Sequence, residues 1–235
     1  MLKNLSKYIF MIQLGYKYIH IFKKIFFHPF ISFRQRYKQL SNERQAYSNA
    51  VLKFLNIEVE TVGEIPNENR ILYAINHRSL LDIIVMEHIF SQKNKNGTWI
   101  AKQELFDAFY GDFFKYSGCI SVDLENRRGL LTFFKKIKQT LAKIDDLNIY
   151  IFPEGERNKS AKLLPFQSGA QKIAKANNLK IVPIFINDTL EKVFKDSPFE
   201  EKKVIKVHIG NIIRPDDLEK KYIDFMNKAK EKDAQ

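Results

Sequence analysis

From residue 57 onward, short apolar runs typical of strands alternate with segments of helical pattern. The runs are IEVETV (57–62), ILYAI (71–75), TWIA (98–101), CISV (119–122), NIYIF (148–152), IVPIFI (181–186) and VIKVHIG (204–210). Helical patterns lie near 79–90, 102–109, 128–144 and 169–176, and a polar helix follows the last run. This alternation predicts an α/β fold with a mixed, largely parallel sheet flanked by helices.

The length of 235 residues suits one α/β domain with a hydrophobic core and a smaller appendage. We assign the α/β domain to residues 56–235 and an N-terminal helical, membrane-associating segment to residues 1–55. Hydrophobic residues make up 45% of the chain, which argues against a disordered protein. Cys119 is the only cysteine, so an intrachain disulfide is excluded.

Positive charge is concentrated near the N-terminus. The formal net charge of the chain is +12, and no acidic residue precedes Glu43. The basic residues before it are Lys3, Lys7, Lys17, Lys23, Lys24, Arg34, Arg36 and Lys38. A basic segment of this kind predicts an anionic partner, either nucleic acid or lipid headgroups.

The residues between these charges favour lipid. Apolar side chains recur at gaps of three and four, as on one face of a helix: Leu2, Leu5, Ile9, Ile12, Tyr16, Ile19, Phe22 and Phe26. The longest uncharged run, residues 8–16, is much shorter than the ~20 residues of a spanning helix. We therefore expect this helix to lie in the membrane interface, with Lys17 and Lys24 directed towards anionic headgroups. The alternative is a helix packed on its own domain. Nucleic acid is disfavoured because the sequence contains no recognisable recognition module.

A cluster of polar residues follows the second predicted strand. Asn76, His77, Arg78 and Ser79 come directly after it, and Asp82 lies five residues beyond His77. In sheets of this class, ligands bind beyond the carboxyl ends of the strands. Asp82 can bond one imidazole nitrogen and leave the other free to accept a proton, which makes His77 a general base for a substrate hydroxyl. In the alternative interpretation, Asp82 only caps the next helix. The spacing leaves both interpretations open.

A second polar segment, PEGER (153–157), follows the fifth predicted strand. Pro153 ends sheet pairing, Gly155 permits a tight turn, and Arg157 offers a planar fork suited to phosphate. Glu154 is better suited to anchoring the loop through hydrogen bonds than to acid catalysis, because a free carboxylate would repel an anionic substrate. An ordinary polar turn is the alternative.

In combination, NHRSLLD (76–82) and FPEGER (152–157) resemble the glycerolipid acyltransferase family, especially the bacterial 1-acylglycerol-3-phosphate acyltransferases. The family signatures are Asn-His, four residues, Asp, and Phe-Pro-Glu-Gly-Thr-Arg. Further segments occur in the family's order: AKQELF (101–106), GCISVD (118–123), LLPFQSGA (163–170) and IVPIFI (181–186). The resemblance covers roughly residues 57–190.

The resemblance implies transfer of a fatty acyl group from acyl-CoA or acyl carrier protein to 1-acylglycerol-3-phosphate, giving phosphatidic acid for phospholipid biosynthesis. His77 would be the general base and Asp82 its orienting partner. The implied substrate-binding residues are Asn76, Arg78, Lys102, Glu154, Gly155 and Arg157, of which Glu154 and Gly155 shape the loop. The family needs no metal or redox cofactor. The implied location is the cytoplasmic face of the cell membrane, as a peripheral or monotopic protein.

Two positions depart from the family pattern. Glu156 replaces the usual threonine, and Leu124 replaces the arginine that usually follows the aspartate of GCISVD. Because these changes remove one phosphate ligand and add a negative charge, Arg127 or Arg128 is a candidate for supplying the missing positive charge. Another lysolipid or an aminolipid is an alternative acceptor, and a non-catalytic membrane-binding relative is a further alternative. A Cys119 acyl-enzyme is disfavoured because no base lies beside it in the sequence.

Overall fold

The computed structural model describes residues 2–123, 126–158 and 162–234, with the backbone alone at residues 2–4 and 127. Seven strands in this part of the chain form one sheet: β1 (Ile57–Val62), β2 (Ile71–Ile75), β3 (Gly97–Lys102), β4 (Ile120–Val122), β5 (Asn148–Ile151), β6 (Lys180–Ile186) and β7 (Lys203–Ile209). Their order is β1-β7-β6-β2-β5-β3-β4, and neighbours are parallel apart from the β6–β7 pair. The predicted mixed, largely parallel sheet is confirmed.

The helices of the described residues flank this sheet. They are α1 (Leu2–Phe26), α2 (Phe33–Leu55), α3 (Leu81–Gln92), α4 (Gln103–Asp107), α5 (Gly111–Tyr116), α6 (Arg127–Lys143), α7 (Gly169–Ala176), α8 (Leu190–Asp196) and α9 (Leu218–Asp233). Helix α4 lies within the predicted helical segment 102–109, whereas the sequence did not predict α5 and α8.

Strand β2 illustrates how the sheet is buried on both faces. Ile71, Tyr73 and Ile75 contribute to a cluster with α2, α3 and α8, whereas Leu72 and Ala74 contribute to a second cluster with α6 and α7. All five residues of β2 are buried, as expected for a central strand of a parallel sheet with helices on both sides.

Helix α2 is joined to α3 and the sheet by a buried ion pair. Arg44 Nε donates to Glu87 Oε1 at 2.6 Å, and Trp99 Nε1 donates to the same oxygen at 2.9 Å. Arg44 also donates to the carbonyls of Gly97 and Ser117. Paired and hydrogen-bonded in this way, the two charges can be buried, and removal of either partner would leave the other uncompensated.

Helix α1 packs one face on the rest of the chain and exposes the other. Lys7 is buried, and its Nζ donates to the carbonyls of Phe194 (2.7 Å), Lys195 (3.2 Å) and Ser197 (2.9 Å) at the end of α8. Towards the other end of α1, Phe22 is buried beside Tyr18 and Leu40. The interpretation of α1 as a helix that packs on its own domain therefore holds for this face.

The predicted apolar stripe is only partly exposed. Its exposed members are Leu5, Ile9, Ile12 and Tyr16, with Tyr8 beside them. Phe22 was wrongly assigned to the membrane-facing set, and Ile19 and Phe26 are half-buried. The gaps of the stripe average less than the 3.6 residues of a helical turn, so the stripe drifts round the helix until its last members face the domain. The side chain of Leu2 lies outside the described residues. None of the helices described here is long and apolar enough to cross a lipid bilayer.

Candidate active site

The two polar segments meet at one edge of the sheet. His77 follows β2 and Pro153 follows β5, and these strands are parallel neighbours. Lys102 ends β3, on the other side of β5, and Asn187 follows β6, on the other side of β2. The carboxyl ends of four adjacent parallel strands thus lie along one edge of the sheet, where ligands bind in folds of this class.

At its centre, Asp82 holds His77. Asp82 Oδ2 lies 2.9 Å from His77 Nδ1, and it also accepts hydrogen bonds from the backbone N–H groups of Arg78 (2.7 Å) and Ser79 (2.8 Å). The carboxylate therefore orients the imidazole and also holds the turn between β2 and α3, whereas α3 itself begins at Leu81 without a side-chain cap. Because a carboxylate oxygen can only accept, Nδ1 carries the hydrogen and Nε2 of the neutral ring keeps its lone pair.

The plane of the His77 ring is set by aromatic stacking. The ring stacks on Phe152, with 3.7 Å between centroids and 10° between planes. Phe152 in turn lies against Trp99, at 5.1 Å and 26°, and Trp99 is held by Glu87. The sequence did not point to Phe152 or Trp99 as supports. Phe152 belongs to the FPEGER segment, but the residues of this segment do not indicate which ring Phe152 stacks on.

Glu154 links the two segments. Its Oε1 accepts from the backbone N–H of His77 at 2.9 Å, and its Oε2 accepts from Asn158 Nδ2 (3.0 Å) and from the Leu164 N–H (2.9 Å). The Asn158 N–H donates to the His77 carbonyl at 2.7 Å. The buried carboxylate is thus occupied by protein donors, an arrangement that suits an anchor of the loop and leaves no oxygen for acid catalysis.

Gly155 forms the tight turn after β5. Its N–H donates to the Phe152 carbonyl at 3.0 Å, and its φ is +77°, in the region that glycine adopts at little cost. A Cβ at this position would lie 3.0 Å from Cγ of Gln167. A side chain here would therefore strain the turn that presents Arg157.

Asn76 was expected to contact substrate, but in the structure its side chain bonds the backbone of β6. It is buried, its Nδ2 donates to the Ile186 carbonyl at 2.9 Å, and its Oδ1 accepts from the Ile186 N–H at 2.8 Å. Asn76 therefore clamps the end of β2 to the end of β6. Arg78 is half-buried, donates from Nη1 to the Asn187 carbonyl at 3.3 Å, and lies over the Phe185 ring.

Positive side chains remain available at this edge. Lys102 is half-buried and Arg157 is exposed, and within the described ranges neither side chain makes a hydrogen bond or ion pair. Glu156, beside Arg157, is also exposed, and Arg128 is exposed at the start of α6. The side chain of Arg127 and the whole of Leu124 lie outside the described residues. The exposed cations can therefore receive an anionic group.

Cys119 lies away from the His77 edge of the sheet. Cys119 precedes β4, at the opposite edge of the sheet from His77, and burial raises the pKa of its thiol. Both features disfavour a Cys119 acyl-enzyme.

Across residues 2–123, 126–158 and 162–234, no group of three His, Cys, Asp or Glu side chains is placed to hold a metal ion.

Comparison with known proteins agrees with this geometry. A family model described as Acyltransferase matches residues 56–187, which contain both polar segments. The chain belongs to the acyltransferase family. A 1-acyl-sn-glycerol-3-phosphate acyltransferase of Helicobacter pylori strain J99 is 34% identical over 175 residues, covering 73% of this chain and 70% of the relative.

More distant relatives carry the same description. The protein of that name from Cocos nucifera is 30% identical over 159 residues, which cover 67% of this acyltransferase and 50% of the relative. That of Haemophilus influenzae is 28% identical over 126 residues, 53% of this chain and 51% of the relative. The chain thus spans about half the length of these two relatives.

The fold also matches a solved structure. The crystal structure of the 1-acyl-sn-glycerophosphate (LPA) acyltransferase PlsC from Thermotoga maritima superposes with a TM-score of 0.70 and 20% sequence identity. The match covers 99% of this chain and 98% of that chain, so the similarity of fold includes the N-terminal helices and α9.

Proposed function

We propose that this acyltransferase moves a fatty acyl group from an acyl thioester, acyl-CoA or acyl carrier protein, to the free hydroxyl of 1-acylglycerol-3-phosphate, giving phosphatidic acid. The observation that carries the proposal is the His77–Asp82 pair at an edge that also presents Lys102 and Arg157, for which the described part of the chain supplies no hydrogen-bond or ion-pair partner. The descriptions of the relatives support the same acceptor.

The chemical step begins at His77. Nε2 takes the proton of the acceptor hydroxyl while the hydroxyl oxygen attacks the thioester carbonyl, and Asp82 stabilises the resulting imidazolium. The tetrahedral intermediate collapses by breaking its carbon–sulfur bond, and the proton passes from His77 to the sulfur. The products are the new ester and a free thiol. General-base assistance of this kind contributes about 10²- to 10⁴-fold to the rate.

The acceptor phosphate is held by positive side chains. Arg157 presents a planar fork that can bind two phosphate oxygens, and Lys102 adds a compact charge. Arg128 is proposed as a third contact that compensates for Leu124, and Arg127 is the alternative. Because a thioester is already activated towards acyl transfer, the reaction needs no metal or redox cofactor. Equal Michaelis constants for the acceptor in wild type, Arg127→Ala and Arg128→Ala would contradict the compensation.

The reaction is proposed to take place at a membrane surface. Leu5, Ile9, Ile12 and Tyr16 form an exposed apolar face on α1 that suits the interface of a bilayer. Lys17 and Lys24 are also exposed, and they can approach anionic headgroups. Acyl-CoA and acyl carrier protein are cytoplasmic donors, so the proposed location is the cytoplasmic face of the cell membrane, as a peripheral or monotopic protein.

Glu156 favours a second candidate acceptor. Its exposed carboxylate lies beside Arg157 in the sequence and repels a phosphate that binds there, but it attracts a cationic group. The second candidate is therefore the same acyl transfer to a lysolipid or aminolipid whose headgroup contains an amine.

The test is a thiol-release assay on the full chain in detergent, with acyl thioesters and a panel of lysolipids with and without an amine. We expect the highest kcat/KM with 1-acylglycerol-3-phosphate. His77→Ala should lower kcat by about a thousandfold, within the range attributed to general-base catalysis. His88→Ala, which removes a histidine of α3 that is bonded to Asn49, serves as the matched control and should retain activity. Undiminished turnover by His77→Ala would contradict the mechanism.

A further inference from the structure

Helix α9 reaches the active-site edge, although it lies outside residues 56–187 that match the family model. Tyr222 is fully buried on this helix, and its hydroxyl donates to the Ile184 carbonyl at 2.6 Å and to Asn76 Oδ1 at 3.4 Å. Asn76 directly precedes His77. The hydroxyl therefore contacts the clamp that joins the end of β2 to β6.

The surroundings of Tyr222 fix this hydroxyl as a donor. Its ring lies edge-on to Phe166, at 5.0 Å between centroids, and Phe166 belongs to the segment that follows the PEGER loop. Burial raises the pKa of Tyr222 well above its usual value, and the nearby Glu154 carboxylate raises it further. The hydroxyl consequently stays protonated throughout the pH range of an enzyme assay.

A second connection starts at the last turn of α9. Asp233 Oδ2 accepts from Asn187 Nδ2 at 3.0 Å, and both carboxylate oxygens lie 3.0 Å from His208 Nε2. The Asn187 carbonyl accepts from Arg78 Nη1 at 3.3 Å. Arg78 directly follows His77, so α9 is connected to the residues on both sides of the histidine.

We propose that α9 positions the turn that carries His77, with Tyr222 acting through Asn76 and Asp233 acting through Asn187 and Arg78. Both are positioning residues, since neither touches the reacting atoms. The inference rests on the proposed role of His77 as general base. A base displaced by about 1 Å loses up to a hundredfold in rate, so the bracing of its turn is a determinant of kcat.

The test compares two tyrosine variants of the full chain in detergent. Tyr222→Phe keeps the ring and removes the hydroxyl, and we expect kcat to fall about tenfold with the Michaelis constants of both substrates unchanged. Amide hydrogen exchange across residues 76–82 should be at least several-fold faster, because the Arg78 and Ser79 amides bonded to Asp82 lose support. Tyr73→Phe is the matched control: Tyr73 is buried in β2, and its hydroxyl has no hydrogen-bond partner among the described residues.

A second pair of variants tests the other connection. Asp233→Asn weakens the bonds to Asn187 and His208 and should also accelerate exchange across residues 76–82, whereas Asp224→Asn changes an exposed carboxylate of the same helix and should not. Unchanged exchange across residues 76–82 in Tyr222→Phe, or an unchanged kcat per folded molecule, would overturn the role of Tyr222, even if the melting temperature fell. Unchanged exchange in Asp233→Asn would overturn the role of Asp233. If the wild type releases no thiol with any lysolipid, the proposed function is refuted. The exchange comparison would still test whether α9 positions the turn that carries His77.

Discussion

At the scale of single residues, the site depends on side chains that serve the fold and the proposed chemistry together. Asp82 Oδ2 accepts from the His77 ring and from two backbone amides in the turn before α3, and Glu154 joins the turn of His77 to the loop that carries Arg157. Substitutions of such residues are expected to change stability as well as rate, and kinetic constants must be measured on folded enzyme.

Asp82→Asn should lower kcat by at least about a hundredfold with little change in the Michaelis constants, because a neutral amide cannot stabilise the imidazolium. Replacement of the charge-assisted bonds to the Arg78 and Ser79 amides by neutral ones should also lower the free energy of unfolding by about 1 kcal/mol. Thiol-release kinetics and urea denaturation measure the two effects. Asp112→Asn, another first-turn aspartate but an exposed one, is the control and should leave kcat unchanged. Wild-type kcat in Asp82→Asn would refute the role assigned to the carboxylate.

Arg157→Ala should raise the Michaelis constant for 1-acylglycerol-3-phosphate by roughly tenfold, the effect of losing a charge-assisted contact of about 1.5 kcal/mol. Arg157→Lys should fall between wild type and Arg157→Ala, since an ammonium group cannot bind two oxygens as a fork. Acceptor titrations in the thiol-release assay measure these changes. Lys138→Ala, the loss of an exposed cation on α6, is the control. Equal Michaelis constants in wild type and the three variants would show that Arg157 does not bind the acceptor phosphate.

Glu156→Thr distinguishes the two candidate acceptors. If the acceptor is 1-acylglycerol-3-phosphate, removal of the carboxylate beside Arg157 should lower its Michaelis constant about threefold, as expected for an exposed charge pair worth less than about 1 kcal/mol. If an amine-containing lysolipid is the acceptor, the same substitution should raise the Michaelis constant for that lipid. Both lipids can be titrated against wild type and variant in one series.

At the scale of secondary-structure elements, α1 is divided between two environments. Lys7, Tyr18 and Phe22 face the rest of the chain, and Leu5, Ile12 and Tyr16 face outwards. Because Lys7 donates to three carbonyls at the end of α8, the exposed face has a defined orientation relative to the sheet. A membrane-binding face fixed in this way would hold the active-site edge at a constant position relative to the lipid surface.

Ile12→Asp should weaken binding to anionic phospholipid vesicles by at least about tenfold, because burial of an isoleucine side chain contributes roughly 1.5–3 kcal/mol. Ile12 is 71% exposed, so the substitution should leave the fold intact. Vesicle co-sedimentation at low and high salt measures the binding, which should weaken with salt. Leu131→Asp is matched in exposure at 70% and lies on α6. Equal losses of vesicle binding in Ile12→Asp and Leu131→Asp would show that the exposed face of α1 has no special role in membrane binding.

At the scale of the whole molecule, the sheet order creates the site. The segments that carry His77 and Arg157 are far apart in the chain, and they meet because β2 and β5 are parallel neighbours. The antiparallel β7 returns beside β6 and places His208 within reach of α9. The fold thus unites both polar segments with a helix from the other end of the chain.

The connection between Asp233 and His208 should make stability depend on pH. Burial raises the pKa of Asp233, but the hydrogen bonds from His208 and Asn187 outweigh it, so this pKa lies below its usual value. A carboxylate with a lowered pKa stabilises the fold above the pKa of the unfolded state and loses that effect as pH falls through the folded pKa. Urea denaturation should show Asp233→Asn less stable than wild type at pH 7, with a smaller difference below about pH 4. A difference independent of pH would contradict this account.

The sequence alone determined the strands, most helices and the positions of the two polar segments after β2 and β5. Local patterns suffice for these features because burial on both faces of β2 requires an apolar run, and because the spacing of His77 and Asp82 brings the two side chains together across one helix start. The turn at Gly155 was predictable for the same reason, since its backbone conformation depends on the residue itself.

Only the tertiary structure decided which partners these residues meet. The sequence placed Asn76 among the substrate contacts, yet its amide is used by Ile186, and the face of α1 that holds Lys7 and Phe22 packs inwards. The contacts of Tyr222 with Asn76 span most of the chain. The type of a side chain and its neighbours in the sequence indicate whether it will be buried or exposed. Its contact partner depends on how distant segments pack together, and the local sequence pattern contains no information about that packing.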